Sequence, residues 1–417
     1  MPLLRKRPRP KQLRLKWLSA EVNLHVQEWC RVCWRIRSLM RWYTLANNAE
    51  VQSILHRFLV VLLFRRDRVQ RSLLQRRQFA PSAGPFRRMC HFQDDQEFRD
   101  LFRFRRAEFH DLLKQLRLVA ADGKPLTVKV GRNGHRSTVP ADWCLMVLLN
   151  RLSYPCRYAD LARRFGGSRT TCCEGFLYLL TEMDQRFGHV VLDVARFLSR
   201  ATVRHCCDIM ENHDDNFGHV LGFVDTKFVK VQRPGGPRAS LFDNIDQRLV
   251  YSGEKKAHGL KYQVLELANG LSITTRAYPG GEADSTILGD SGWLLLLESL
   301  SRRLGFDPCM IGDCAYARSR NLVRKNRRHE IHRIPAWEAD ALNEYRVLVE
   351  NAFAHIHNNW GFLSHKYHLT IAMTPFDRMW RVSMLLHNLQ TISYGNQTTD
   401  TLGYFLHNWT YSSYLNG

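Results

Sequence analysis

Near residue 218 the hydrophobic period of this chain changes, and that change limits the fold more than any other feature. Before it, apolar residues recur at helical spacing; after it come apolar runs of strand length. Val220 to Val224 is one such run, extended by Phe228, Val229 and Val231. Leu260 to Ala268, Asn269-Gly270 and Leu271 to Tyr278 form the clearest hairpin signal, and Asn-Gly predicts a type I′ turn. Pro279-Gly280-Gly281 ends the second strand. Leu288 to Leu304 predicts a helix, Pro308 to Ile311 a short buried strand and Ile331 to Ile334 a weaker one. Two long helices follow, over 337–360 and 375–391. This order predicts an α/β layer fold over 218–395, a mixed β-sheet flanked by helices, with 396–417 as a C-terminal tail.

The segment before the change reads as all-helical. Residues 92–117 carry helical periodicity through Phe98, Leu101, Phe102, Phe109, Leu112 and Leu113, and 122–138 read as a loop of Gly, Lys, Arg and Asn. Pro140 opens a helix to about Leu152, which Ser153-Tyr154-Pro155 breaks. Tyr158 to Phe165 predicts a short helix. Gly166-Gly167 ends it, and Ser168 is placed to cap a third helix starting at Arg169. Within a helical region spanning 91–217, residues 140–187 therefore match a helix-turn-helix. In that motif the start of the second helix faces the major groove. Arg169, Thr170 and Thr171 become candidate base contacts, with Arg163 and Arg164 beside the turn. A plain helical hairpin in a bundle has the same pattern.

Composition narrows the partners. The 417 residues carry 61 Lys+Arg against 39 Asp+Glu, a net charge of +22. Such an excess points to a polyanion, nucleic acid before an anionic membrane surface. More than half of it lies in residues 1–100. Residues 1–16 form a basic arm in which Arg5, Lys6, Arg7, Arg9 and Lys11 suit a nuclear signal, a DNA-backbone contact or a merely soluble tail. Residues 17–90 predict a basic helical N-terminal region, with Phe79–Pro85 as a linker. The apolar run Phe58 to Phe64 is too short to span a membrane, and no secretory cleavage pattern follows the N-terminus. Neighbouring cysteines such as Cys172-Cys173 and Cys206-Cys207 suit a reducing compartment. Cys30 and Cys33 form a single CxxC, read as structural thiols rather than a metal site.

Three carboxylates stand out. Asp225 follows Val-Leu-Gly-Phe-Val and shares a strand face with Leu221 and Phe223. A lone carboxylate there is costly unless it is paired or binds a cation. Asp313 closes the strand Cys309-Met310-Ile311-Gly312, and strand carboxyl ends are where open sheets bind ligands. Glu350 lies mid-helix beside the apolar stripe Leu342, Tyr345, Val349, Phe353, Ile356 and Trp360, with Arg346 at i−4 and His357 at i+7. Each has a bland reading as a loop cap, a turn initiator or an i, i+4 ion pair. A zinc set of Cys309, Cys314, His329 and His332 is the weaker alternative, because Cys309 is expected to face the sheet core.

The order strand Asp, strand-end Asp, helical Glu comes with a set of local words. These are Gly222-Phe-Val-Asp225, Gln232-Arg-Pro234, Tyr251-Ser-Gly-Glu-Lys-Lys-Ala-His258-Gly-Leu-Lys261-Tyr-Gln263 and Asn269-Gly270. They continue with Pro279-Gly-Gly-Glu-Ala-Asp284-Ser285, Gly312-Asp313-Cys-Ala-Tyr316 and Arg346-Val-Leu-Val-Glu350-Asn-Ala-Phe353. In this order they resemble the DDE transposases of the PIF/Harbinger superfamily and the nucleases derived from them. Thr226-Lys227 and Ala283 depart from the family, which usually has Gly-Thr and His at those places.

The resemblance implies an RNase H-like nuclease domain preceded by an all-α helix-turn-helix region. It implies Asp225, Asp313 and Glu350 as the catalytic carboxylates and metal ligands for two Mg²⁺ or Mn²⁺ ions. Hard divalent cations take carboxylate oxygens, and two such ions side by side serve in-line phosphodiester displacement. The implied activity is cutting, and joining, of DNA strands. A DNA-binding protein that kept the fold but lost cleavage is the alternative. Lys227, His258, Lys261, Arg346 and His357 become candidate DNA contacts beside the carboxylates. DNA is the implied partner and the nucleus the implied place of action. The resemblance leaves room for a homo-oligomer and for a separate Myb-like DNA-binding protein, since Trp17, Trp29, Trp34 and Trp42 lack Myb spacing.

Overall fold

A computed structural model describes residues 86–417 except 93, 132–135, 234–246, 326–334, 365–368, 370–373, 408 and 417. The basic arm, the 17–85 segment with Cys30 and Cys33, the weak strand at 331–334, and His329 and His332 lie outside the described residues.

The described chain opens with helices α1 (Asp95–Phe102) and α2 (Arg106–Gln115). Their apolar faces meet in an aromatic cluster. Phe92, Phe98, Phe102 and Phe109 pack ring against ring at centroid separations of 4.7–6.1 Å. The expected loop at 122–138 instead holds a two-stranded antiparallel sheet, β1 (Thr127–Val130) and β2 (Ser137–Pro140). The β-branched residues Thr127, Val128, Val130, Thr138 and Val139 favour the pleat over a loop.

Helix α3 (Ala141–Ser153) is buried on nearly every side and anchors the helical layer. Helix α4 (Tyr158–Phe165), a glycine turn and α5 (Arg169–Phe187) follow as expected. Ser168 caps α5, its hydroxyl accepting the Thr171 N–H at 3.0 Å. At Gly167 φ is +77°, and a Cβ there would sit 3.1 Å from Phe86 and 3.2 Å from Trp143. Only glycine meets both demands without strain. A short helix, α6 (Val194–Phe197), and α7 (Arg200–His213) lead to the main sheet.

That sheet contains β3 (Val220–Lys230), β4 (Tyr251–Ser252), β5 (Ala257–Leu267), β6 (Ser272–Thr274), β7 (Tyr278–Pro279), β8 (Cys309–Gly312) and β9 (Leu322–Val323). The order is β4-β5-β3-β8-β9, with β6 and β7 also paired to β5. β5 runs antiparallel to β3, whereas β8 and β9 run parallel to it, the mixed arrangement of an RNase H-like fold. The turn between β5 and β6 differs from the expected type I′. Among its residues only Gly270 has a positive φ, +83°, and the Leu267 carbonyl accepts the Gly270 N–H at 2.8 Å. This is a three-residue loop with a glycine bulge, which needs one left-handed residue instead of two.

Between β8 and the preceding hairpin the expected single helix is two, α8 (Asp284–Asp290) and α9 (Trp293–Leu304). Gly292 breaks them at φ +73°. Helices α10 (Ala336–Asn359) and α11 (Phe376–Tyr394) cover one sheet face. Phe223 stacks on Tyr345 of α10, and Tyr262 stacks on Trp380 of α11 at 4.4 Å. The C-terminal tail carries α12 (Gln397–Thr401) and α13 (Tyr411–Asn416). Buried apolar residues from Phe92 to Leu415 form one continuous core, so the helical layer and the sheet pack as one unit. No helix among the described residues is long and apolar enough to cross a membrane.

Candidate active site

Parallel pairing sets two of the predicted carboxylates beside each other. Val224 of β3 pairs with Gly312 of β8, so the residues that follow, Asp225 on β3 and Asp313 just past β8, are neighbours. Both are half-buried. Each has one carboxylate oxygen held by a nearby backbone N–H. Thr226 donates to Asp225 Oδ1 at 2.7 Å, and Ala315 donates to Asp313 Oδ1 at 2.8 Å. Burial above all, with Asp313 and Asp284, raises the Asp225 carboxyl to about 6, against the opposing pull of the Thr226 N–H and Arg346. Such a group is unfavourable as a bare anion and gains from a cation.

Glu350 is exposed on α10, one Oε1 2.9 Å from Arg346 Nη2 in an i, i+4 pair. Lys227 follows Asp225 by two residues on β3, and its ammonium sits over the Phe353 ring of α10 at 5.2 Å. Burial holds the Lys227 pKa down, while Asp225 and Glu350 pull it up. Among the described residues, no three His, Cys, Asp or Glu side chains converge tightly enough to hold a metal ion. The structure therefore brings Asp225 and Asp313 together and leaves Glu350 turned toward Arg346.

The sequence alone did not single out Asp284 as a member of this site. It opens α8, and its field reaches Asp225. Lys261, expected to touch DNA, is instead buried and donates to Asp284 at 2.8 Å and to the Glu282 carbonyl at 2.7 Å. That ammonium is occupied in fixing the start of α8, because a buried charge requires a partner. The only sequence signal for Asp284 was its place in the Pro279–Ser285 word. Tyr316 was missed as well. Its hydroxyl lies 2.9 Å from Thr226 Oγ1, and the ring is fully buried under the site.

The remaining predicted contacts divide by environment. His258 is half-buried with its ring 5.2 Å from the exposed Tyr251. Burial, with help from Lys227, pulls the His357 pKa down to about 4, so the ring is neutral at physiological pH. At the start of α5, Arg169 and Thr170 are exposed. Thr171 is buried, its hydroxyl 2.8 Å from that of Ser168, and serves the helix cap rather than a groove. Arg164 reaches inward to Asn150 Oδ1 at 3.0 Å, whereas the exposed Arg163 pairs with Asp160 at 3.2 Å. Cys309 is buried, as expected, and Cys314 is exposed.

Residues 224–388 match the family described as DDE superfamily endonuclease. The matched segment contains Asp225, Asp284, Asp313 and Glu350. No curated protein and no solved structure matches the chain. A DDE endonuclease domain suggests a transposase-like nuclease, with DNA as its substrate and divalent metal ions in general use. The residues fit that requirement by donor chemistry. Asp225 and Asp313 offer carboxylate oxygens only, side by side, and Asp225 forms no ion pair among the described residues.

Proposed function

We propose that this protein is a metal-dependent DNA endonuclease of the PIF/Harbinger type, which cuts DNA strands and joins them to a target. The observation that carries this reading is the placement of Asp225, midway along β3, beside Asp313, at the end of the neighbouring parallel strand β8, within the segment that matches the endonuclease family. Asp225 and Asp313 would hold Mg²⁺ or Mn²⁺, as a pair of ions, with Glu350 as the third ligand. When bound, such ions activate the attacking oxygen and stabilise the leaving one.

The chain's own groups prepare this chemistry. Backbone N–H groups of Thr226 and Ala315 fix one oxygen of each aspartate, which leaves the other oxygen for a ligand. Buried Tyr316 supports β3 from below through Thr226. Lys227 feels the charges of both Asp225 and Glu350 and is a candidate phosphate contact, as are Arg346 and His258. Arg163, Arg169 and Thr170 would meet DNA from the helix-turn-helix. Nuclear location through Arg5, Lys6, Arg7, Arg9 and Lys11, self-association and a separate Myb-like partner complete the proposal.

One test is cleavage of labelled duplex DNA by the full chain with Mg²⁺ or Mn²⁺, with and without chelator. Cuts that need the ion and vanish with chelator are expected. DNA binding with no cleavage under any metal points to the second reading, a binding protein that kept the fold. The ammonium of Lys227, which feels both Asp225 and Glu350, favours that reading.

Arg169→Ala tests the recognition helix. It is expected to lower affinity for cognate DNA by about 5- to 150-fold, equivalent to 1–3 kcal/mol for one base contact, while random duplex loses much less. Equal losses on both DNAs in a binding titration reduce Arg169 to a phosphate contact.

A further inference from the structure

A cleft of about 280 Å³ opens beside the carboxylates, between the end of β8 and α10, and Asp313, Lys325, Asn343 and Arg346 line it. Lys325 is exposed, but its backbone is anchored. Its carbonyl accepts from Arg324 Nη1 at 2.8 Å and from the Cys314 thiol at 3.7 Å. Asn343 and Arg346 stand three residues apart on α10, so they share a face of that helix. An ammonium, a guanidinium and an amide make a donor set suited to one phosphodiester, the lysine as a point charge and the arginine as a fork.

Arg346 has a competing partner. Its Nη2 lies 2.9 Å from Glu350, and both side chains are more than a third exposed. An exposed i, i+4 pair is weak, so a phosphate in the cleft can displace Glu350 at little cost.

We propose that the cleft is a DNA-phosphate subsite, in which Lys325 and Arg346 hold a backbone phosphate adjoining the one cut at Asp225 and Asp313, and that Glu350 competes with this phosphate for Arg346. The proposal takes its ligand from the nuclease reading but does not depend on cleavage. Binding of DNA thus releases Glu350 toward the other carboxylates. The resting ion pair keeps Glu350 away from them when no DNA is present.

The experiment is metal-free binding of the full chain to a short labelled duplex in chelator, titrated across salt. Lys325→Gln is expected to weaken binding and flatten the log–log salt slope by about 0.9, the value for one phosphate. Lys325→Arg restores the slope, which separates lost charge from a damaged fold. Glu350→Gln is expected to tighten binding several-fold, and adding Arg346→Gln to it removes the gain. Asp340→Asn removes a like charge from the same helix outside the cleft and serves as the control. An unchanged slope in Lys325→Gln overturns the proposal. So does a gain from Glu350→Gln that matches Asp340→Asn or survives the loss of Arg346. Normal cleavage with no slope change defeats the subsite alone. The expected slopes without any cleavage defeat the nuclease reading alone.

Discussion

Asp225→Asn is expected to reduce metal-dependent DNA cleavage by about 10³-fold or more, while the metal-free protein becomes at least as stable as the parent. The rate loss corresponds to about 4 kcal/mol of transition-state stabilisation, the scale on which a preorganised charge-stabilising group acts. The stability gain has a separate cause. Asp225 is half-buried, forms no ion pair among the described residues, and feels Asp313 and Asp284. Asn keeps the volume and the oxygen that accepts the Thr226 N–H, but removes the repelled charge. A rise of about 1 kcal/mol in chelator is the expected order. Cleavage of nicked and intact duplexes, together with denaturation in chelator, measures both. Activity near that of the parent removes Asp225 from the site. A marked loss of metal-free stability makes it a structural residue instead.

Glu266 is expected to make the fold less stable as pH rises, and Glu266→Gln to remove that dependence. The residue lies on β5 with no exposed surface. Its Oε1 accepts from Asn396 at 3.0 Å and Thr398 at 3.1 Å, and its Oε2 accepts from the Ser272 hydroxyl. Burial pushes its carboxyl up to about 7, against the pull of those three hydrogen bonds. In the unfolded chain it titrates near 4.5. The folded state therefore binds the proton more tightly. Its stabilising share is complete below about pH 4.5 and is lost as pH rises through about 7. The full swing is roughly 3 kcal/mol at most. Urea denaturation at pH 5 and pH 8 reads it. Glu266→Gln keeps the acceptor for Asn396 and Thr398, so it should match the parent at pH 5 and exceed it at pH 8. A parent protein equally stable at both values, after correction for the Glu266→Gln curve, overturns the assignment.

Glu266 also shows how the C-terminal tail is held. Asn396 donates both to Glu266 and to the Gly270 carbonyl, at 3.0 and 2.9 Å. The start of α12 is thereby tied to the hairpin turn between β5 and β6. A Cβ at Gly270 would lie 2.5 Å from Thr399, so the same glycine serves the turn and the docking. Nothing local in residues 396–401 signals this attachment. It depends on a buried carboxyl contributed from 130 positions away.

Local chemistry was enough to read much of this protein. The glycine turn between α4 and α5 needs positive φ at two successive residues, and Gly166-Gly167 announces it. The apolar runs at 220–224 and 309–311 are short and bounded, so they read as buried strands wherever they pair. The helical stripe from Leu342 to Trp360 is buried as its period requires. Position in these elements also marked Asp225, Asp313 and Glu350.

Tertiary packing decided the rest. Parallel pairing of β3 with β8 joins residues far apart in the chain, and only that register makes Asp225 and Asp313 neighbours. Burial then separated cations that look alike in sequence. Lys261 became a tie to Asp284 because its ammonium is enclosed, while Lys325, exposed on an anchored backbone, remained available at a cleft. Thr171 turned inward to cap a helix, and Arg169 two positions earlier stayed in solvent. The role of a charged or polar side chain depends on its dielectric surroundings and its nearest partner. Periodicity places such a side chain on a face, but the packed neighbours determine what it meets there.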